Sequence, residues 1–351
     1  MLKSIPHSVS CLGVKRTTIK DVAEAAGVSP ATVSRVYSAD GSASSEVRAR
    51  VREAADRLGY RPNVMERSLT QSRTDLFALV VGSLENPFDA KLVETLSRAL
   101  SGAGKRLLLI PAGDEVDDPG TLVALDYQTD GVIVAAGHMS RTSSERFARL
   151  GVPVILFGRV LNAPGVDSIL ADNFDSARRV GRLFARHGRK RITILRKAAR
   201  TFSDDEREAG LVAGLAGDED VRVVSSHESD AFESAASFLA EADPPDAVFC
   251  VNDVLALSVL EAARSLGLSV PRDLAVVGFD DIPIASSPSY SLTTNHLSVD
   301  QIAHWIVQRL QARLQSPDLP VVVKRIDTAL TIRSTTPQNS IAQEQPIPAK
   351  G

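Results

Sequence analysis

From Leu76 onward the chain alternates short apolar runs with stretches of helical periodicity, and that alternation leaves few folds open to it. The runs Leu76 to Val81, Leu107 to Ile110, Val132 to Ala135 and Val154 to Phe157 have strand length, and a second set occurs at Ile192 to Leu195, Val221 to Val224, Ala247 to Val251 and Leu274 to Val277. Strands without a polar face belong to parallel sheets covered by helices on both sides. Two groups of them predict two doubly wound α/β lobes. With 351 residues, 44% hydrophobic and 24% charged, the chain has ordinary globular composition, which excludes a disordered or collagen-like class.

The first 75 residues differ in character. They carry 12 Lys and Arg against 8 Asp and Glu, and the remainder carries 28 against 35, so a basic head precedes an acidic body. A basic head suits a polyanionic partner. Thr18-Ile19-Lys20-Asp21 has the form of a capping box, with Asp in place of the usual Glu or Gln. Ile19, Val22, Ala23 and Ala26 then recur at helical spacing until Gly27 permits a sharp turn. Ser29 can cap a second helix that has Pro30 at its first position and Val33 and Val36 on one face. A third helix runs from the cap Ser44 through Val47, Val51, Ala54, Ala55 and Leu58 to Gly59. Two short helices about a tight turn form the helix-turn-helix unit, whose second helix enters the major groove of DNA. Its outward set here is Pro30, Ala31, Ser34 and Arg35.

Thr18-Ile19-Lys20-Asp21-Val22-Ala23, Gly27 to Val36 and Leu58-Gly59-Tyr60-Arg61-Pro62-Asn63 resemble the LacI/GalR family of bacterial transcription regulators, a likeness that extends over about residues 17 to 336. The resemblance implies an N-terminal all-α helix-turn-helix head with a hinge helix, followed by a two-lobed α/β, periplasmic-binding-protein-like core with doubly wound parallel sheets. It implies that Arg35 contacts guanine, for which a guanidinium fork is the suited group. Pro30 and Ala31 take the other base-reading positions, while Thr17, Thr18, Ser29, Thr32 and Ser34 position phosphates. Asn63 to Leu69 is expected to form a short hinge helix, with Asn63 as its cap and Arg67 among its DNA-facing residues. Leu69 is its minor-groove wedge. Glu66 departs from the family's alanine, and a carboxylate near phosphates weakens binding unless the cap engages it. The expected organisation is a tail at 1–16, head at 17–61, hinge and linker at 62–75, core at 76–336 and tail at 337–351. Lobe one takes 76–173 and 298–318, and lobe two takes 174–297 and 319–336, with crossings near 173, 297 and 318.

Open α/β sheets bind ligands at the carboxyl ends of their strands, so polar residues just after strands are the cleft candidates. The resemblance and this rule together select Phe88, Asp89, Arg159, Arg207, Asn252 and Asp280 for an effector. Asn252 and Asp253 serve equally well as caps of the helix that follows, and Phe88 as core. Three departures from the family concern charge: Asp89 replaces an aromatic residue, Arg196-Lys197 replaces a small pair, and Gly158 fills a site where many relatives have Asp. With Arg196 added to the set, the expectation is a cleft of positive character and an anionic carbohydrate-like effector, a sugar acid or phosphorylated sugar. The alternative is that these long cations reach out to solvent.

The six His residues show no metal-ligand spacing, and Cys11 and Cys250 are the only cysteines. No Gly-x-Ser-x-Gly elbow or phosphate loop occurs, so neither an enzyme, a metal nor a cofactor is expected. A transporter's solute-binding protein would explain two lobes but not the basic head. The start lacks the apolar core of a signal peptide and no run spans a bilayer, so a cytoplasmic protein without a membrane partner is expected. The expected function is that of a transcription regulator, a repressor in sign, that binds palindromic double-stranded operator DNA as a homodimer and answers to a sugar, sugar acid or phosphorylated sugar. The C-terminal tail has no apolar heptad from which to build a tetramer.

Overall fold

The computed structural model describes residues 17–37, 43–61, 73–111, 124, 126–135 and 141–337. The chain forms two compact units, one ending at Thr74 and one beginning at Asp75. The first unit holds three helices, α1 (Ile19–Ala26), α2 (Pro30–Tyr37) and α3 (Ser45–Arg57). Its starts and stops follow from local chemistry. The Thr18 backbone N–H donates to Asp21 Oδ2 at 2.7 Å and the Asp21 N–H donates to Thr18 Oγ1 at 3.4 Å, closing the capping box. Gly27, with φ 65°, turns the chain out of α1. Ser29 and Ser44 cap the next two helices through the N–H groups of Thr32 and Val47. Val22, Val33, Val51 and Tyr60 fill the small core between them, where the Tyr37 and Tyr60 rings meet edge to face at 6.3 Å.

The second unit is built on two six-stranded sheets. Lobe one contains β1 (Leu76–Val81), β2 (Arg106–Pro111), β3 (Gly131–Val134), β4 (Val154–Phe157), β5 (Val166–Ala171) and β11 (Val323–Ile326), in the order β11-β5-β4-β3-β1-β2 and all parallel. Successive β1 residues alternate between two cores. Phe77, Leu79 and Val81 pack under α4 (Pro87–Gly102) and α10 (Val299–Gln315), whereas Ala78 and Val80 join Phe147 of α5 (Arg141–Arg149) on the other face.

Lobe two contains β6 (Arg191–Lys197), β7 (Asp220–Ser226), β8 (Ala247–Cys250), β9 (Ala275–Asp280), β10 (Thr293–His296) and β12 (Ala329–Thr331), in the order β12-β10-β9-β8-β6-β7. Only β12 runs antiparallel to its neighbour. Its helices are α6 (Asn173–Arg186), α7 (Phe202–Gly214), α8 (Ala231–Leu239) and α9 (Asp253–Ser265). Among the described residues no helix is long and apolar enough to cross a membrane.

The chain passes between lobes after β5, after β10 and after β11. The last of these corrects the expected crossing near 318, because β11 pairs with β5 and the chain leaves lobe one only at Asp327-Thr328. The polar turn after α10 is tied back to lobe one. Buried Asp167 on β5 accepts from Nε and Nη2 of Arg309 and of Arg313 at 2.8–3.0 Å and from the Val322 N–H at 2.8 Å. Burial alone would raise its pKa, but the two guanidinium groups and the backbone bond hold it below the usual carboxylate range.

The α6 and α7 helices meet through glycines. A methyl group at Gly210 would lie 2.2 Å from the Phe174 carbonyl oxygen, and one at Gly214 would lie 2.2 Å from that of Arg178. Contact this close is open only to residues without a Cβ, and it fixes the height at which Arg207, one helical turn before Gly210, meets the sheet. Gly210→Ala is therefore expected to destabilise the core by about 1–3 kcal/mol through overpacking. Urea denaturation measures this, and unchanged stability would show that the helices part without cost.

Candidate functional site

In the head, Ser29, Pro30, Ala31 and Arg35 are exposed along the start and outer face of α2, and Thr32 and Ser34 are half-buried. These residues stand together on one surface, as a groove-reading helix requires. The hydroxyls around them are already engaged. Thr17 Oγ1 donates to the Leu58 carbonyl at 2.9 Å, Thr18 Oγ1 donates to Asp21 Oδ2 at 2.8 Å, and the Ser29 and Thr32 hydroxyls share a bond of 3.0 Å. Thr17 and Thr18 thus brace α1 first, and either must exchange a partner to meet a phosphate. Asn63, Glu66, Arg67 and Leu69 lie outside the described residues.

In the second unit a cavity of about 450 Å³ opens between the lobes at the carboxyl ends of both sheets. Phe88, Asp89 and Arg159 line it from lobe one, and Arg207, Asn252 and Asp280 from lobe two. Phe88 is also packed in the core, its ring stacked on Phe157 at 6.1 Å, so its core and cleft readings both hold. Asn86 caps α4 by accepting from the Phe88 N–H at 3.0 Å, which aims the start of that helix at the cleft. Asn252 combines two roles: its Oδ1 caps α9 through the Leu255 N–H at 3.0 Å, and its Nδ2 donates to Glu228 at 2.7 Å on the cavity wall. Asp253 turns inward to accept from Thr294 at 2.6 Å and from the Ile282 N–H at 2.8 Å. It is structural, and burial pushes its carboxyl up to about 7.

Arg207 is the best-held group of the wall. Its Nε donates to Asn173 Oδ1 at 2.9 Å, its Nη1 donates to the Val251 carbonyl, and its guanidinium carbon lies 3.5 Å from the centre of the Phe279 ring. Asp280 faces it from the end of β9 with φ 111°, a conformation that L residues rarely adopt and that places its carboxylate at the cleft. Burial raises the Asp280 pKa well above its ordinary value, with Arg207 opposing. Asp204 also lines the cavity, and its buried Oδ2 has no hydrogen-bond partner.

Arg196 does not reach the cleft, contrary to expectation. Neighbouring residues of a strand point to opposite faces, so Lys197 enters the cavity while Arg196 turns away to Ser225 at 2.9 Å and Glu208 at 3.4 Å. Half of the added positive charge is thereby removed. Ser203, Asp204, Ser226 and Glu228 are among the lining residues that sequence reasoning missed. The Thr201-x-x-Asp204 pattern was a usable signal, since the Asp204 N–H donates to Thr201 Oγ1 at 3.1 Å at the head of α7. Ser203 Oγ donates across the cleft to the Gly158 carbonyl at 2.9 Å, joining the lobes. Among the described residues no group of His, Cys, Asp and Glu is arranged to hold a metal ion.

Burial pushes the Asp89 carboxyl up to about 6, with Lys197 lowering it and Glu228 raising it. An acid whose folded pKa exceeds its unfolded value of about 3.9 stabilises the fold most below that value and loses the contribution as pH rises through the folded pKa. Asp89→Asn is therefore expected to stabilise the unliganded protein by about 1–3 kcal/mol at pH 8 and by well under ~1 kcal/mol at pH 4. Melting curves at the two pH values test this, and an equal effect at both would contradict it.

Comparison with known proteins agrees with this arrangement. Residues 18–63 match the model of bacterial regulatory proteins, lacI family, and residues 182–336 match the periplasmic binding protein-like domain. The chain is 30% identical over 336 residues to the HTH-type transcriptional regulator CelR of Thermobifida fusca, covering 92% of this chain and 98% of the relative. It is 31% identical to the ribose operon repressor of Bacillus subtilis (strain 168), covering 76% and 82%. A solved CelR–cellobiose complex superposes with a TM-score of 0.65 at 27% identity, covering 91% of this chain and 100% of that one. The Lac repressor dimer bound to operator and the anti-inducer ONPF shares the fold, with a TM-score of 0.79 at 24% identity and coverage of 92% and 99%. The chain belongs to the LacI family of bacterial transcription regulators, which are not enzymes.

Proposed function

We propose that this LacI-family regulator is a homodimeric repressor that binds a palindromic operator through α2 and releases or grips it according to a small carbohydrate held between the lobes. The observation that carries the DNA reading is the exposed helix start, with Arg35 on the same outer surface as Pro30 and Ala31. A guanidinium fork reads guanine, whereas Pro30 and Ala31 offer only apolar contact to thymine methyl groups. Asn63, Arg67 and Leu69 are assigned to the hinge that follows, and Thr17, Thr18, Ser29, Thr32 and Ser34 to phosphates, by resemblance alone.

A cavity rich in polar groups beside an aromatic pair suits a hydroxylated ring. Relatives named for ribose and one solved with cellobiose support a carbohydrate. A dimer is supported by large apolar side chains left exposed on both lobes, Leu84 and Leu109 on one and Phe232 and Ile284 on the other. An isologous dimer presents two heads to two half-sites, which makes the operator a palindrome.

Selection of bound duplexes from a random library at fixed salt supplies the operator. On it, Arg35→Ala is expected to weaken binding by about 1–3 kcal/mol and to relax preference at one position of each half-site. Equal loss on every sequence would reduce Arg35 to a phosphate contact. Light scattering should give a particle of twice 37.5 kDa, and a monomer would contradict the dimer.

A further inference from the structure

Asp89 and Lys197 face one cavity from opposite lobes, the first from the N-terminal turn of α4 and the second from the carboxyl end of β6. Lys197 lowers the Asp89 pKa, yet among the described residues neither side chain makes a hydrogen bond or an ion pair. The rest of the wall does not supply the missing partners. Glu228 accepts from Asn252, and Arg207 is bound to Asn173 and the Val251 carbonyl. The buried Asp204 Oδ2, also without a partner, points to the same conclusion, that this wall is finished by a ligand.

We propose that Asp89 and Lys197 form a two-lobed clamp for a neutral hydroxyl group of the effector, and that this clamp excludes ligands charged at that point. The inference rests on the carbohydrate reading above and adds its specificity. A hydroxyl both donates and accepts, so it serves the carboxylate and the ammonium at once. A carboxylate or phosphate would satisfy Lys197 but would lie against Asp89, with Asp204 on the facing wall. An ammonium group would satisfy Asp89 but meet Lys197. The expected anionic effector is thus disfavoured, because of the Arg196-Lys197 pair on which it drew, together with Gly158, Arg196 points elsewhere and Lys197 faces Asp89. Since the clamp takes one residue from each lobe, a bound hydroxyl also favours closure.

The test is calorimetric titration of the full-length protein with ribose, glucose, galactose and cellobiose, and with glucuronate, glucose 6-phosphate and glucosamine as charged counterparts. The clamp predicts that a neutral sugar binds at least tenfold more tightly than any charged one. Asp89→Asn and Lys197→Met should each weaken that sugar about tenfold or more. The double variant should lose less than the product of the two, as coupled residues do. Melting curves of the unliganded variants show that each is folded. Tighter binding of glucuronate or glucose 6-phosphate overturns the clamp while sparing the carbohydrate reading. So do variants that bind the neutral sugar within twofold of the wild type, or a double variant whose losses multiply in full. Failure of every compound in the panel to bind overturns both.

Discussion

The buried guanidinium of Arg207 is the interaction on which the second unit depends. Removing a guanidinium from water is costly unless its donors find acceptors, and here they do so in three parts of the chain. Asn173 belongs to the first crossing between lobes, Val251 to the end of β8, and Phe279 to the floor of lobe two. The same Asn173 donates to Glu206 at 3.1 Å, and Glu206 in turn is paired with Arg325 of β11, the last strand before the third crossing. One side chain on the ligand wall is therefore continuous, through hydrogen bonds, with the chain next to two of the three crossings between the lobes. The close contact of α6 and α7 at Gly181, Gly210 and Gly214 keeps this network at its height over the sheet.

Much of the architecture was legible because buried parallel strands have no polar face to hide their signal. The eight apolar runs all became strands. β5, β10, β11 and β12 escaped for a physical reason. β5 carries Asp167 and Ser168, and β10 reads Thr-Thr-Asn-His, so neither is an apolar run. Tertiary bonds make these residues compatible with burial, from Arg309 and Arg313 to Asp167, from the Thr293 N–H to Thr335, and between the Thr293 and Thr336 hydroxyls. β11 is an edge strand with three exposed residues, and missing it displaced the third crossing by several residues. In the site, residues after strands were found because the fold class dictates where ligands sit. Arg196 and Lys197 show the limit of that rule: adjacent in sequence and alike in charge, they are separated by the two-residue period of the strand. Ser203, Asp204 and Glu228 reach the cavity from helical starts, where sequence offers only a capping pattern.

The head obeys a different economy. Its three helices are short and its core is small, so caps at Thr18, Ser29 and Ser44 and the turn at Gly27 carry a large share of its definition. That leaves the outer side of α2 free of structural duty and open to a partner. The ligand cavity, by contrast, is lined from both lobes and includes a buried polar atom without a partner, so a hydroxylated molecule of the proposed kind would meet both lobes at once. Only differential affinity lets a ligand move the balance between two states.

The most direct test of the account is therefore a thermodynamic cycle rather than a single affinity. Anisotropy titration of the selected operator duplex, at fixed salt and with the tightest neutral sugar absent or saturating, gives the change in DNA affinity. Calorimetry of the sugar with and without operator gives the reverse. The account predicts a change of at least fivefold, equal in both directions, as linkage requires. A DNA affinity that saturating sugar leaves unaltered would contradict it.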